Sequence, residues 1–262
     1  MIRFRPLSTP FAALLFLASL ALSLFVPHLG FGAAAKEMPF GPGERLTYRA
    51  KWGVLPAGDS VIEVLPFETI AGVKSYHFVM KTNTNAQTDL VYKVRERQDS
   101  YTDEALSRTL RYTKKTTGEH PRDIVVTFDW KRMTATYASF NRPERPVAIT
   151  PGTFDPLALF FVIRTHDLKP GKIIEIPVTD GKKFIVAKAT VTGRETLAIN
   201  GRSYDTYVVT PDIERLEKAF KKQSDPKLKI WFSADERRIP VKIQSRISVG
   251  SFVFELVSSR SR

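Results

Sequence analysis

From Arg45 onward, apolar and polar residues trade places at every second position. Leu46, Tyr48, Ala50 and Trp52 fall on one face, and Arg45, Thr47, Arg49 and Lys51 on the other. A period of two is the mark of a strand with one face buried. It recurs at Tyr76, Phe78 and Met80; at Ile124, Val126, Phe128 and Trp130; at Leu228, Ile230 and Phe232; at Val241, Ile243, Ile247 and Val249; and at Phe252, Phe254 and Leu256. Asp180-Gly181 and Asn200-Gly201 stand between such runs and suit tight hairpin turns, and Gly250 is expected to turn the last strand pair. No long helix separates the strands, so parallel crossovers are excluded and the sheet should be mainly antiparallel. With this many strands it should curl or close. The expected fold is all-β: a curved sheet, or an open or closed barrel-like single domain, with one or two short helices.

Two stretches break the alternation. Asp155 is placed to cap a helix beginning at Pro156 and running through Leu157, Leu159, Phe160, Phe161, Val162 and Ile163. Being apolar nearly all round, that helix should be buried, at one mouth of the curved sheet. A second helix is expected over Asp212 to Gln223, where Ile213, Leu216 and Phe220 share a side and Glu214/Lys218 and Glu217/Lys221 are spaced four apart.

The start of the chain differs from the rest. Arg3 and Arg5 precede an apolar run from Phe11 to Val26, followed by Pro27, Gly30 and Ala33, Ala34 and Ala35. This is the layout of a secretory signal peptide. Residues 1–35 are therefore expected to be removed after Ala35, leaving a single β-rich domain over 36–262 with no transmembrane segment. An uncleaved anchor is the alternative, although the run falls short of the roughly 20 residues that span a bilayer. The expected location is the periplasm of a two-membrane bacterium. There is no Cys in the 262 residues, so the mature chain cannot be a lipoprotein, and disulfides, thiolate metal sites and cysteine nucleophiles are excluded.

The chain holds 40 Lys+Arg against 27 Asp+Glu, a formal charge of +13 that loss of the leader lowers by two. Such a surplus suits anionic partners, namely lipid headgroups, lipopolysaccharide phosphates, acidic glycans or nucleic acid; export argues against nucleic acid. The cations are scattered, which also suits a merely soluble sheet protein.

Catalytic signals are sparse. The three His residues after the leader, His77, His120 and His166, have no metal-ligand spacing. Gly41-Pro42-Gly43 opens like a dinucleotide fingerprint but leads into a strand, and no nucleophile elbow or phosphate loop occurs. No catalytic residue, metal or cofactor is assigned on these grounds. The aromatic residues are more suggestive, because a concave face carrying Tyr48, Ala50, Trp52, Phe128 and Trp130, with Phe160 on the helix, could hold an acyl chain. A filled core is the competing reading.

The string Phe40-Gly41-Pro42-Gly43-Glu44-Arg45-Leu46-Thr47-Tyr48, followed by Trp52-Gly53 and Ala57-Gly58, resembles the opening of the bacterial family known as domain of unknown function 3108. Asp155-Pro156, Asp180-Gly181-Lys182-Lys183, and Ile230-Trp231-Phe232-Ser233 with Asp235, Arg237, Arg238, Ile239, Pro240 and Val241 extend the resemblance. It implies an exported, all-β protein with no assigned catalytic or binding residues. The motif positions Gly43, Glu44, Trp52, Gly53, Gly58, Asp180, Gly181, Trp231 and Pro240 also have structural explanations, with Gly53 and Gly58 in a tight turn and Pro240 at a strand start or edge. Three functions are consistent with these features: a non-enzymatic envelope protein holding a lipid or other apolar ligand, a filled-core protein docking on anionic envelope surfaces or a protein partner, and an unrecognised hydrolase.

Overall fold

The computed structural model describes residues 37–118, 121–212, 227–247 and 250–261. The leader, the helix expected over Asp212 to Gln223 apart from Asp212 itself, His120 and Val249 lie outside them. In chain order the elements are β1 (Arg45–Trp52), β2 (Leu55–Ile70), β3 (Val73–Thr84), α1 (Ala86–Asp89), β4 (Arg95–Asp103), β5 (Thr109–Thr117), β6 (Arg122–Asp129), β7 (Thr134–Ser139), β8 (Arg142–Pro143), β9 (Val147–Ala148), α2 (Ala158–Thr165), β10 (Ile173–Thr179), β11 (Phe184–Ile199), β12 (Arg202–Pro211), β13 (Lys227–Ser233), β14 (Pro240–Ile247) and β15 (Gly250–Arg260).

All the strands join one sheet, in the order β10-β11-β12-β13-β14-β15-β1-β2-β3-β4-β5-β6-β7-β8, with β9 also on β7. Every ladder is antiparallel, as the missing crossover helices require. The sheet curls so far that its two ends meet: Gly181, beside β10, packs on Val126 of β6 and Tyr137 of β7, and Phe154 bridges to Val178. Antiparallel order also sorts the connections. The β1–β2 turn, the β3–β4 loop, the β7–β8 turn and the β10–β11 loop lie at one end, here the upper end, and the β2–β3, β11–β12 and β13–β14 connections at the lower end.

Helix α2 sits in the concave face between two apolar clusters. One gathers Leu46, Tyr48, Val64, Phe78, Val126, Tyr137, Phe161 and Leu256; the other gathers Val162, Ile163, Ile174, Val191, Ile230 and Phe232. Each buried Phe or Ile contributes about 1.5–3 kcal/mol, so the helix is held by packing and not by its own eight residues.

Several local expectations need correction. The helix starts at Ala158, because Pro156 and Leu157 form the turn that enters it; Asp155 Oδ1 accepts from the Leu157 and Ala158 amides at 2.9 and 3.1 Å. Gly58 is not in a turn. It lies inside β2, after a bulge opposite Ala50/Lys51, with φ +156, and a Cβ there would stand 2.1 Å from Asn83 O. Gly53, at φ +61, does form the two-residue turn with Val54. Gly250 pairs with Ile247 as the first residue of β15, and residues 248–249 lie outside the described residues. Asp180 and Gly181 belong to a four-residue loop, since Thr179 pairs with Phe184; the Asp180 carboxylate accepts from the Lys182 and Lys183 amides.

Candidate functional site

Above α2 the curl is not filled. A cavity of about 630 Å³ opens between the walls β3–β7 and the β10–β11 loop. Its floor is apolar, made by Met80, Ile124, Tyr137, Leu157 and Phe160, and its mouth carries Lys114, Arg122, Lys182 and Asp180. The volume lies within the roughly 300–1,000 Å³ of small-molecule sites.

Strand register explains the chemistry. Lys114 shares the inward parity of Tyr112 on β5 and stands level with Gln98 and Ile124, whereas Arg122 shares that of Ile124, Val126 and Phe128 on β6 and stands at the upper end of that apolar row. Tyr112 Oη donates to Gln98 Oε1 at 2.8 Å, and Gln98 Nε2 donates to Glu96 Oε1 at 2.6 Å. Glu96 also pairs with Lys114 at 2.7 Å. Burial, reinforced by Asp155 and Glu96, pushes the Tyr112 phenol well above its ordinary range, so it stays a neutral donor. Lys182 is held at 2.6 Å by Glu144 and lies 4.1 Å from the Tyr137 ring centroid; the Glu144 contact raises its pKa. Asp180 is committed to its own loop amides. Arg122 is exposed and has no carboxylate partner among the described residues; a guanidinium fork matches the geometry of a carboxylate or phosphate.

A second chamber of about 160 Å³ lies on the other flank of α2, lined almost entirely by apolar groups including Leu159, Ile163, Ile174, Ile176 and Ile230. Pro156 and Phe160 line both spaces. The Phe160 ring therefore stands between them.

Two buried polar anchors fix α2. At its start, Asp155 receives Ser100 Oγ at 2.5 Å and Thr109 Oγ1 at 2.7 Å besides the two amides; burial nevertheless raises its pKa. At its end, Arg164 reaches Glu44 through both terminal nitrogens at 2.6 and 2.8 Å, with Pro39 O and Arg237 O as further acceptors. The pair is 1% and 4% exposed. His166 closes the helix in extended conformation.

Of the residues expected on a ligand-bearing concave face, only Phe160 lines the cavity. Tyr48 is buried, donates to Pro240 O at 2.8 Å and has its pKa raised by that burial. Ala50 is buried beside it. Trp52 stacks on Phe252 at 5.9 Å near the upper end of β1. Phe128 and Trp130 stack at 5.9 Å, and Trp130 Nε1 donates to Thr109 O at 2.9 Å. Among the motif positions, Gly43 N bonds Val64 O at φ +97, Trp231 Nε1 donates to Glu195 at 2.9 Å, and Pro240 opens β14. Gly181 approaches the cavity wall so closely that a Cβ would meet Val126 Cγ1 at 2.8 Å. The residues that sequence reasoning missed are Gln98, Tyr112, Lys114, Arg122 and Arg164. The available signal was a cation or amide at an inward position of an apolar row.

His77 occupies the polar parity of β3 but is buried, stacked on Tyr101 at 4.4 Å. Its Nε2 contacts Asp99 at 2.8 Å; Nδ1 lies 2.7 Å from Glu68, at an angle that forms no hydrogen bond. Although burial opposes ionisation of Asp99, His77 and Arg97 together lower its pKa to about 2. This cluster faces away from the cavity.

The family model described as protein of unknown function (DUF3108) matches residues 47–257. The chain belongs to this family. No curated protein matches it. Among solved structures, this DUF3108 protein is similar to a β-barrel-like protein of domain of unknown function DUF1849 from Brucella abortus, with TM-score 0.57, 11% identity, and coverage of 86% of this chain and all of the other. That likeness shows the fold alone. A structure described as a candidate lipoprotein from Parabacteroides distasonis aligns with TM-score 0.29 and 8% identity over 85% and 98% of the two chains. Among the described residues no helix is long and apolar enough to cross a membrane.

Proposed function

We propose that this DUF3108 protein is an exported, non-enzymatic binder of an amphipathic anion, an acyl chain with an acidic head, in the cavity above α2. The observation that carries the reading is the lining of that cavity by apolar groups together with the cations Lys114, Arg122 and Lys182, of which Arg122 has no carboxylate partner among the described residues. A chain laid on Met80, Ile124, Leu157 and Phe160 would bury methylenes at about 0.8 kcal/mol each, while Arg122 and Lys114 meet the head. Export is supported by Arg3 and Arg5, the apolar run and the Ala33/Ala35 junction. The non-enzymatic reading is supported by where the titratable groups sit: the His77–Asp99 pair lies on the opposite face of the sheet, and Asp180 is occupied by backbone amides. Native mass spectrometry of the protein purified from its own periplasm tests the proposal. A retained lipid of acidic headgroup is expected; an unliganded mass, with no lipid in the organic extract, would overturn it.

A further inference from the structure

Among the described residues most of the large apolar side chains left in solvent gather at one end, with Ile173 and Val257 standing apart from them. Val54 and Leu55 are 90% and 65% exposed on the β1–β2 turn, Leu90 and Val91 are 88% and 68% exposed on the β3–β4 loop, and Phe140 is 56% exposed on the β7–β8 turn. Register places all of these connections at the upper end, the end at which Lys114, Arg122 and Lys182 form the cavity mouth. Two of the connections are tied together: Asn85 N and Nδ2 donate to Ala57 O and Pro56 O at 3.0 and 2.8 Å, which sets the Leu90 loop beside the Val54 turn. Scattered single apolar residues need no explanation, but a group gathered on loop tips at one end does. Several cations of the described residues stand at the same end. Arg142, Arg145 and Arg122 form no salt bridge among the described residues, and Lys93 stands near Asp89.

We infer that the upper end is a membrane-docking face, with Val54, Leu55, Leu90, Val91 and Phe140 entering the acyl boundary of an anionic phospholipid surface and Lys93, Arg142 and Arg145 meeting the headgroups. Apolar loop tips ringed by cations fit such a surface, because shallow insertion and headgroup attraction add. The inference goes beyond ligand binding and stands without it: a filled cavity would leave the face unchanged. If both hold, docking points the cavity mouth at the bilayer.

The test is co-sedimentation of the mature protein with phosphatidylglycerol/phosphatidylcholine vesicles and with pure phosphatidylcholine vesicles. Binding to the anionic vesicles is expected, and the double variant Val54→Asp/Leu90→Asp should lose about tenfold or more in partitioning. These side chains are exposed, so unchanged circular dichroism should accompany the loss. Ile173→Asp removes an exposed apolar residue at the lower end and should bind as the parent does. Reversing Arg142 and Arg145 to Glu should cost about fivefold or more per cation. Absence of vesicle binding by the parent, or equal binding by the Val54→Asp/Leu90→Asp protein, would overturn the inference. So would a parent dimer in sedimentation velocity that this double variant dissociates without any effect on vesicles, which would assign the face to a second copy. Phe160→Trp, which narrows the cavity, should keep vesicle binding, separating failure of the docking face from failure of the cavity reading.

Discussion

The two halves of the curled sheet use the same alternation to opposite ends. Around β1, β2 and β15 the inward rows are Leu46, Tyr48 and Ala50, Ile62 and Val64, and Leu256, all buried, with the single phenol satisfied by Pro240 O. Around β4, β5 and β6 the inward rows include Gln98, Ser100, Tyr112, Lys114 and Arg122, and there the interior opens into a cavity of about 630 Å³. A strand's parity decides which side chains face inward. Whether they fill the space is decided by their polarity and by what stands opposite. Polar groups that cannot be buried unpaired hold the second half open.

The strongest way to break this comparison is to remove what holds α2 in the concave face. Arg164→Ala leaves Glu44 buried without its partner, and a thermal or denaturant melt should show a loss of about 3–5 kcal/mol. Exchanging space for bulk sharpens the contrast. Ala50→Phe overpacks the filled half and should cost about 1–3 kcal/mol, whereas Phe160→Trp grows into open volume and should leave the melting temperature nearly unchanged. Equal costs for the two would erase the distinction.

Smaller is the effect of the Asp99 cluster on the outer face. Its pKa falls from 3.8 to about 2 on folding. A depressed carboxylate stabilises the fold above its unfolded pKa, so this contribution is full above about pH 4.5 and fades as the pH drops toward 2, with an upper bound of about 2 kcal/mol before solvent screening. Asp99→Asn should flatten the melting curve against pH in that window and leave ligand uptake alone. Smallest for stability is Arg122→Ala. The side chain is exposed, so its loss should move the melt by no more than about 0.5 kcal/mol, while isothermal titration should show affinity for an acidic amphiphile falling about tenfold.

The strands and their antiparallel pairing were legible in the sequence because a period of two is local, and Asp155 as the entry to α2 was legible for the same reason. Gly58 was misread because its demand for Gly comes from Asn83 on the next strand, and no local turn signal marks that. Arg164 was overlooked in an apolar helix because Glu44 is 120 positions away. The cavity escaped for a related cause. Met80, Lys114 and Lys182 meet only once the sheet has curled, and periodicity within each strand cannot tell which inward rows face each other. The aromatic residues Tyr48, Phe128 and Trp130 drew attention by size, yet size is what let them pack shut.

The central claim is that the open half takes up an amphipathic anion, and titration with a fluorescent fatty acid tests it most directly. The mature protein should show saturable, one-to-one enhancement that unlabelled palmitate competes away, and Phe160→Trp should abolish it at an unchanged melting temperature. No saturable uptake by the parent, or uptake by Phe160→Trp equal to the parent's, would contradict the account.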